Sequence, residues 1–169
     1  MTILHPTRKL ARRLPPSLVE SSASVATNKL GPWSANIFNV GRSQFVIVTN
    51  ELTLLTVVVK AKPPVSLWDN ALSSLRTVFE WIEIPRPVFE KELAEMQEVK
   101  LVRGGTNRSV LGSMNEFILS TRVYLDFHEE ASLEDINLHL NDSISLALKN
   151  DLYPREAARR VLLSNAATL

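Results

Sequence analysis

Residues 104–117, GGTNRSVLGSMNEF, gather the side chains best suited to hold a ligand. A glycine pair enters a helix start there. Free backbone N–H groups and the helix dipole favour an anion at such a start. Arg108 adds a planar donor fork that matches phosphate or carboxylate. The run is not a P-loop, because G-K-[ST] is absent, and it is not a G-x-G-x-x-G dinucleotide turn. LGSMN is not a serine elbow, because Asn115 stands where the second glycine belongs. A connector reading stands beside the ligand reading. In it Gly104 and Gly105 turn the chain, Asn107 or Ser109 caps the helix, and Arg108 is solvated. Capping leaves Asn115, Arg122 and Asp126 unexplained on one flank of the helix. Gly112 costs about 1 kcal/mol relative to alanine inside a helix, which points to a close approach there. Packing of Gly112 on a bulky neighbour and an Arg122–Asp126 pair at i,i+4 is the alternative. The candidate ligand contacts are therefore Asn107, Arg108, Ser109, Gly112, Asn115 and Arg122.

Other chemistry is sparse. His5, His128 and His139 show no paired metal-ligand spacing, and no metal or cofactor is expected. DFHEE (126–130) clusters carboxylates beside His128 but falls between two helices, where charge solvates a turn. Glu80, Glu83 and the acids of 90–98 sit on polar helix faces. An enzyme would have to bring Asp126, His128 or Glu129 beside Arg108 to act on a phosphate-bearing or nucleic-acid substrate.

The chain of 169 residues is 45% hydrophobic and 22% charged, in the range of one globular domain without disulfides or metals. The absence of cysteine excludes a thiol nucleophile and fits a reducing cytoplasm. No apolar run reaches the roughly 20 residues that span a bilayer. A net charge of +1 implies no polyanionic partner globally. Up to Gly41, however, five basic residues (Arg8, Lys9, Arg12, Arg13 and Lys29) face one acid, Glu20. Nucleic acid is a weak expectation from that cluster, since no RNP, helix-turn-helix or zinc-finger pattern accompanies it. A transit peptide is the other reading of the opening. A strand at Met1–Leu4 and a Thr7-capped helix through Leu14 fit better.

The elements that must position these residues follow from periodicity. Trp33–Val40, Gln44–Thr49 and Leu52–Val59 read as strands, the first two joined by the tight GRS turn. Ser66 with Asp69 opens a helix through Ile82. Pro87 opens a second, to about residue 97, and Val99–Val102 is a short strand. Ser109–Asp126 is helical, with Val110, Met114, Phe117, Ile118, Thr121, Tyr124 and Leu125 on one arc. Leu119 and Val123 fall opposite that arc and offer a second packing surface, within the fold or in a homodimer. Ser132 with Asp135 and then Pro154 open the last helices. Residues 15–31 read as a surface loop and 164–169 as a frayed tail. The expected architecture is α+β: a small antiparallel β-meander packed with several helices, in a single domain over 1–169.

Three segments resemble a bacterial domain-of-unknown-function family, DUF6933. They are the opening strand with TRKLARRL, then GPWSANIFNVGRSQFVIVTNELTLLTVVV, and above all TNRSVLGSMNEF. The resemblance covers about Met1 to Tyr153, although the loop at 15–31 is longer than the family pattern. It implies a bacterial, cytoplasmic, one-domain α+β protein, argues against a transit peptide, and carries no activity. It also implies that Asn107, Arg108, Ser109, Gly112, Ser113, Met114 and Asn115 belong to the family signature. The resulting expectation is an intracellular domain that binds an anion, a nucleotide or a protein partner at 104–115, rather than an enzyme.

Overall fold

The sheet is organised by its first strand, β1 (Thr2–Pro6), which pairs parallel with two strands from later in the chain. On one side lies β3 (Trp33–Val40), with Leu4 opposite Trp33, and on the other β6 (Val99–Val102), with Ile3 opposite Lys100. The two-residue β2 (Val19–Glu20) pairs parallel with β6. β4 (Ser43–Asn50) and β5 (Thr56–Lys60) follow β3 as an antiparallel meander. The sheet order is β2-β6-β1-β3-β4-β5. This computed structural model describes residues 1–15, 19–20 and 24–164. The expected 15–31 loop and 164–169 tail therefore lie partly outside the described residues.

The α+β expectation holds, but the sheet is mixed rather than antiparallel. Connection length explains the difference. Gly41, at φ 56°, turns β3 into β4 through two residues, which permits only antiparallel pairing. β6 is reached from β5 through two helices, and such long crossovers deliver parallel strands.

Helices cover both faces, as strands apolar on both faces require. Trp33, Ala35, Val46, Val48, Val57 and Val59 point to the face covered by α2 (Leu67–Trp81), α3 (Arg86–Met96) and α6 (Pro154–Leu163). The short α1 (Arg8–Ala11) adds Leu10 to that core. Phe38, Ile47 and Val58 point to the face covered by α4 (Arg108–Phe127) and α5 (Leu133–Asn141). Thr7, Asn107 and the Ser132–Asp135 capping box close their helix starts as expected.

Three local expectations are corrected. Leu52–Leu55 is a turn, because Asn50 Oδ1 accepts from Leu52 N, Thr53 N and Thr53 Oγ1, and Leu54 lies at φ 58°. Ser66 ends a 3-10 turn (Pro64–Ser66) and makes no capping bond. Glu92, expected on a polar face, is buried and accepts from Asn28 Nδ2, Lys29 N and Leu30 N at 2.8–2.9 Å.

Candidate functional site

Gly104 takes φ 82°, and the chain then passes over β1 before Asn107 accepts from Ser109 N at 2.8 Å to start α4. Gly105 lies directly on the ring of His5. That ring is fixed beneath it: Nδ1 stands 2.7 Å from Glu51 Oε1, which also accepts from Ser34 Oγ at 2.7 Å. The carboxylate stands between histidine and serine. Ser34 therefore gives its proton to Glu51 and not to His5, and the trio is no nucleophile relay, in which histidine must sit in the middle. It is a part-buried clamp that fixes the floor under the glycine pair.

The six residues singled out in the sequence are all exposed and strung along α4. Arg108, Asn115 and Arg122 recur every seventh residue and so form a stripe rather than one point. Arg122 is anchored: its Nε and Nη2 donate to Asn39 O at 3.2 and 3.1 Å. That contact replaces the expected pair with Asp126. A Cβ placed on Gly112 meets nothing within 4 Å, so no part of the described chain approaches it closely and no bulky neighbour packs on it.

Clefts open beside this stripe, at the carboxyl edge of the parallel strands. One, of about 360 Å³, is lined by Pro6 at the end of β1, Arg8, Ala11 and Arg12 on and after α1, and Arg103 and Gly104 beyond β6. A second, of about 700 Å³, is reached at Arg13, two residues after α1. Arg13, Arg42 of the hairpin turn, and Lys60 and Lys62 at the end of β5 supply its charge, and Asn39, Ser43, Gln44 and Phe45 complete its wall. Among the described residues, no acidic side chain lines either cleft. The seven cations are exposed and make no side-chain hydrogen bond or ion pair within the described residues.

The family model described as Domain of unknown function (DUF6933) matches residues 3–157. The chain belongs to DUF6933. No curated protein and no solved structure matches it. In this DUF6933 member the paired Asp126, His128 and Arg108 of the enzyme alternative do not assemble. Arg108 opens the 20-residue α4 and Asp126 nearly closes it, about 27 Å away at the helical rise per residue. His128 instead lies against Tyr124, whose ring also stacks on His139 at 4.5 Å.

Sequence reasoning missed Arg42, Lys60, Lys62 and Arg103 in the DUF6933 chain. Each lies at the end of a strand run or within two residues of it, as in VVVKAK and KLVRGG. That recurrence was the available signal, and only the parallel direction of the strands turns it into one basic edge. Among the described residues, no three His, Asp or Glu side chains group as a metal site, and no helix is long and apolar enough to cross a membrane. Leu119, Val123 and Phe127 line an apolar groove between α4 and α5, with Phe127 80% exposed.

Proposed function

We propose that this DUF6933 chain is a binding domain for phosphate-bearing ligands in a bacterial cytoplasm, and that the ligand is held at the carboxyl ends of β1 and β6. The observation that carries this reading is the cleft in which Arg8, Arg12 and Arg103 meet beside Gly104, lined among the described residues by no acidic side chain. Guanidinium forks match phosphate oxygens in geometry as well as charge. Ligands also favour the crevice outside the carboxyl ends of parallel strands. In this reading the loop that continues from Gly104 brings Asn107, Arg108 and Ser109 to the same ligand. The part-buried His5–Glu51–Ser34 clamp fixes the height of that loop.

The test is titration calorimetry with inorganic pyrophosphate and adenosine diphosphate. Each arginine should be worth about tenfold in affinity, the scale of one charge-assisted hydrogen bond. The Arg12→Ala/Arg103→Ala variant should lose binding and keep its melting temperature, since both side chains are exposed. Equal binding by that variant, or none by the parent chain, rejects the reading.

The apolar groove favours a second reading, a protein contact across α4 and α5 that is satisfied by a second copy of the chain. Leu119→Asp with Val123→Asp should then convert a dimer to a monomer by light scattering. A monomeric parent at high concentration removes it.

A further inference from the structure

We infer that the two basic clefts form one track for single-stranded nucleic acid along the carboxyl edge of the sheet. The inference rests on the phosphate-binding reading of the first cleft and extends it to a polymer. Three observations carry it. First, the clefts are neighbours, because Arg12 lines one and Arg13 the other. Second, the strands that bear them order the cations in space. Arg103 follows β6, Arg8 follows β1, Arg42 follows β3 and Lys60 ends β5, so the charges follow the sheet from β6 to β5. Four interstrand steps of about 4.8 Å give a track of roughly 19 Å. At about 3.4 Å of rise per phosphate in a stacked strand, that is about five or six phosphates. Third, the wider cleft offers more than charge. Phe45, whose partly buried ring packs on Phe38, lines it, and Asn39, Ser43 and Gln44 bring neutral hydrogen-bonding groups. Bases stack on such rings, and their edges and sugars take such donors.

The same features separate nucleic acid from other anionic partners. A membrane surface calls for apolar side chains that insert among lipids, and among the described residues none of the large exposed hydrophobic side chains lines either cleft. A free phosphate compound would need only the Arg8–Arg12–Arg103 cleft. Net charge conceals the track, because three acids of the described residues stand at the far end of the strands. Glu92, Glu95 and Glu98 gather on and after α3, at the opposite ends of β1 and β6.

Fluorescence anisotropy with a labelled single-stranded RNA longer than the track tests the inference. Duplex DNA, poly-glutamate and anionic vesicles are the comparison probes. Five or six phosphate contacts predict a slope of about −3.5 to −4 for log affinity against log salt. Arg42→Ala/Lys60→Ala/Lys62→Ala should weaken RNA binding tenfold or more and bring the slope about 2 units nearer zero. Lys91→Ala/Lys149→Ala, which removes two charges at exposed positions elsewhere, should not. Equal loss in both variants, or equal affinity for any of the three comparison probes, overturns the inference. Pyrophosphate separates it from the reading beneath it. If Arg12→Ala/Arg103→Ala abolishes pyrophosphate binding while the hairpin-side variant binds RNA unchanged, the phosphate site stands and the track falls. If the parent chain binds no pyrophosphate, the phosphate site falls, and the track with it.

Discussion

Gly105 sits so close to His5 that a Cβ added to it would stand 2.4 Å from Nε2 and 2.5 Å from Cδ2 of the ring. The ring has little freedom to retreat, because Glu51 holds its Nδ1 and is itself held by Ser34. Gly105→Ala should therefore lift the loop or break the clamp. The expected cost is about 1–3 kcal/mol in chemical denaturation, the range for overpacking a fitted site. Pyrophosphate affinity should fall as well, because Arg103 and Gly104 precede the displaced residue. Adding His5→Ala should restore part of both losses through a favourable coupling. Additive losses would place the strain away from the ring.

Gly112 makes the opposite case. It lies inside α4 on an exposed face, with nothing beyond its own stretch of helix backbone within 4 Å of the place a methyl would take and no positive φ to need a glycine. Gly112→Ala should raise stability by roughly 0.5–1 kcal/mol through helix propensity alone. A thermal melt checks this. If the same variant also binds RNA or pyrophosphate more weakly, the space above Gly112 is used by a ligand. Unchanged binding would confine the ligand to the carboxyl-edge clefts.

These two glycines show what the sequence could and could not convey. Periodicity located α2 and α4 because their buried arcs are determined by local spacing, as with Val110, Met114 and Phe117. Asn107 and the Ser132–Asp135 box were legible for the same reason, since a cap is local chemistry. Strand direction was not. Thr2, Leu4 and Pro6 alternate with Ile3 and His5 whichever way β1 pairs, and the choice is made by β3 and β6, far away in sequence. Glu92 looked like any acid on a polar helix face until residues 28–30 closed over it. The candidate site divides along the same line. The glycine pair and Arg108 announced themselves, whereas Arg42, Lys60, Lys62 and Arg103 come together only through the sheet order.

The edge of the sheet has its own local device. Asn141 Oδ1 accepts from Thr56 N at 2.8 Å and its Nδ2 donates to Thr56 O at 2.7 Å. One turn earlier Asn137 Oδ1 accepts from Val58 N at 2.7 Å. Two side chains of α5 thus stand in for the missing neighbour of β5, which an unprotected edge would seek in another chain. Asn141→Leu leaves two buried backbone groups unpartnered, each worth about 1–3 kcal/mol. The variant should lose about 2–5 kcal/mol and aggregate on heating, by denaturant titration and light scattering. A loss under about 1 kcal/mol would mean that water reaches the edge in its place.

Acid should weaken the α4–α5 contact. His139 is held below the usual histidine value, first by burial and then by His128, with Asp142 opposing. Its ring stacks on Tyr124, and Nε2 lies 3.3 Å from Ser120 Oγ. A base with a lowered folded pKa binds its proton later in the folded chain than in the unfolded one. The unfolded state then takes up more protons as pH falls through the ordinary value of about 6.5, and stability declines there. Above that value the histidine is neutral in both states and exerts no pH dependence. Once the folded ring is also protonated, the loss stops growing. Asp135 and Glu90, both held below the usual carboxylate values, add their own loss only at lower pH, where unfolded carboxylates protonate. The measurement is stability by urea titration at steps between about pH 7.5 and 5. The parent chain should weaken across that window, and His139→Gln should flatten the slope. His128→Gln should flatten it in part, by removing the repelling charge. An unchanged slope in His139→Gln would assign the acid sensitivity to another group.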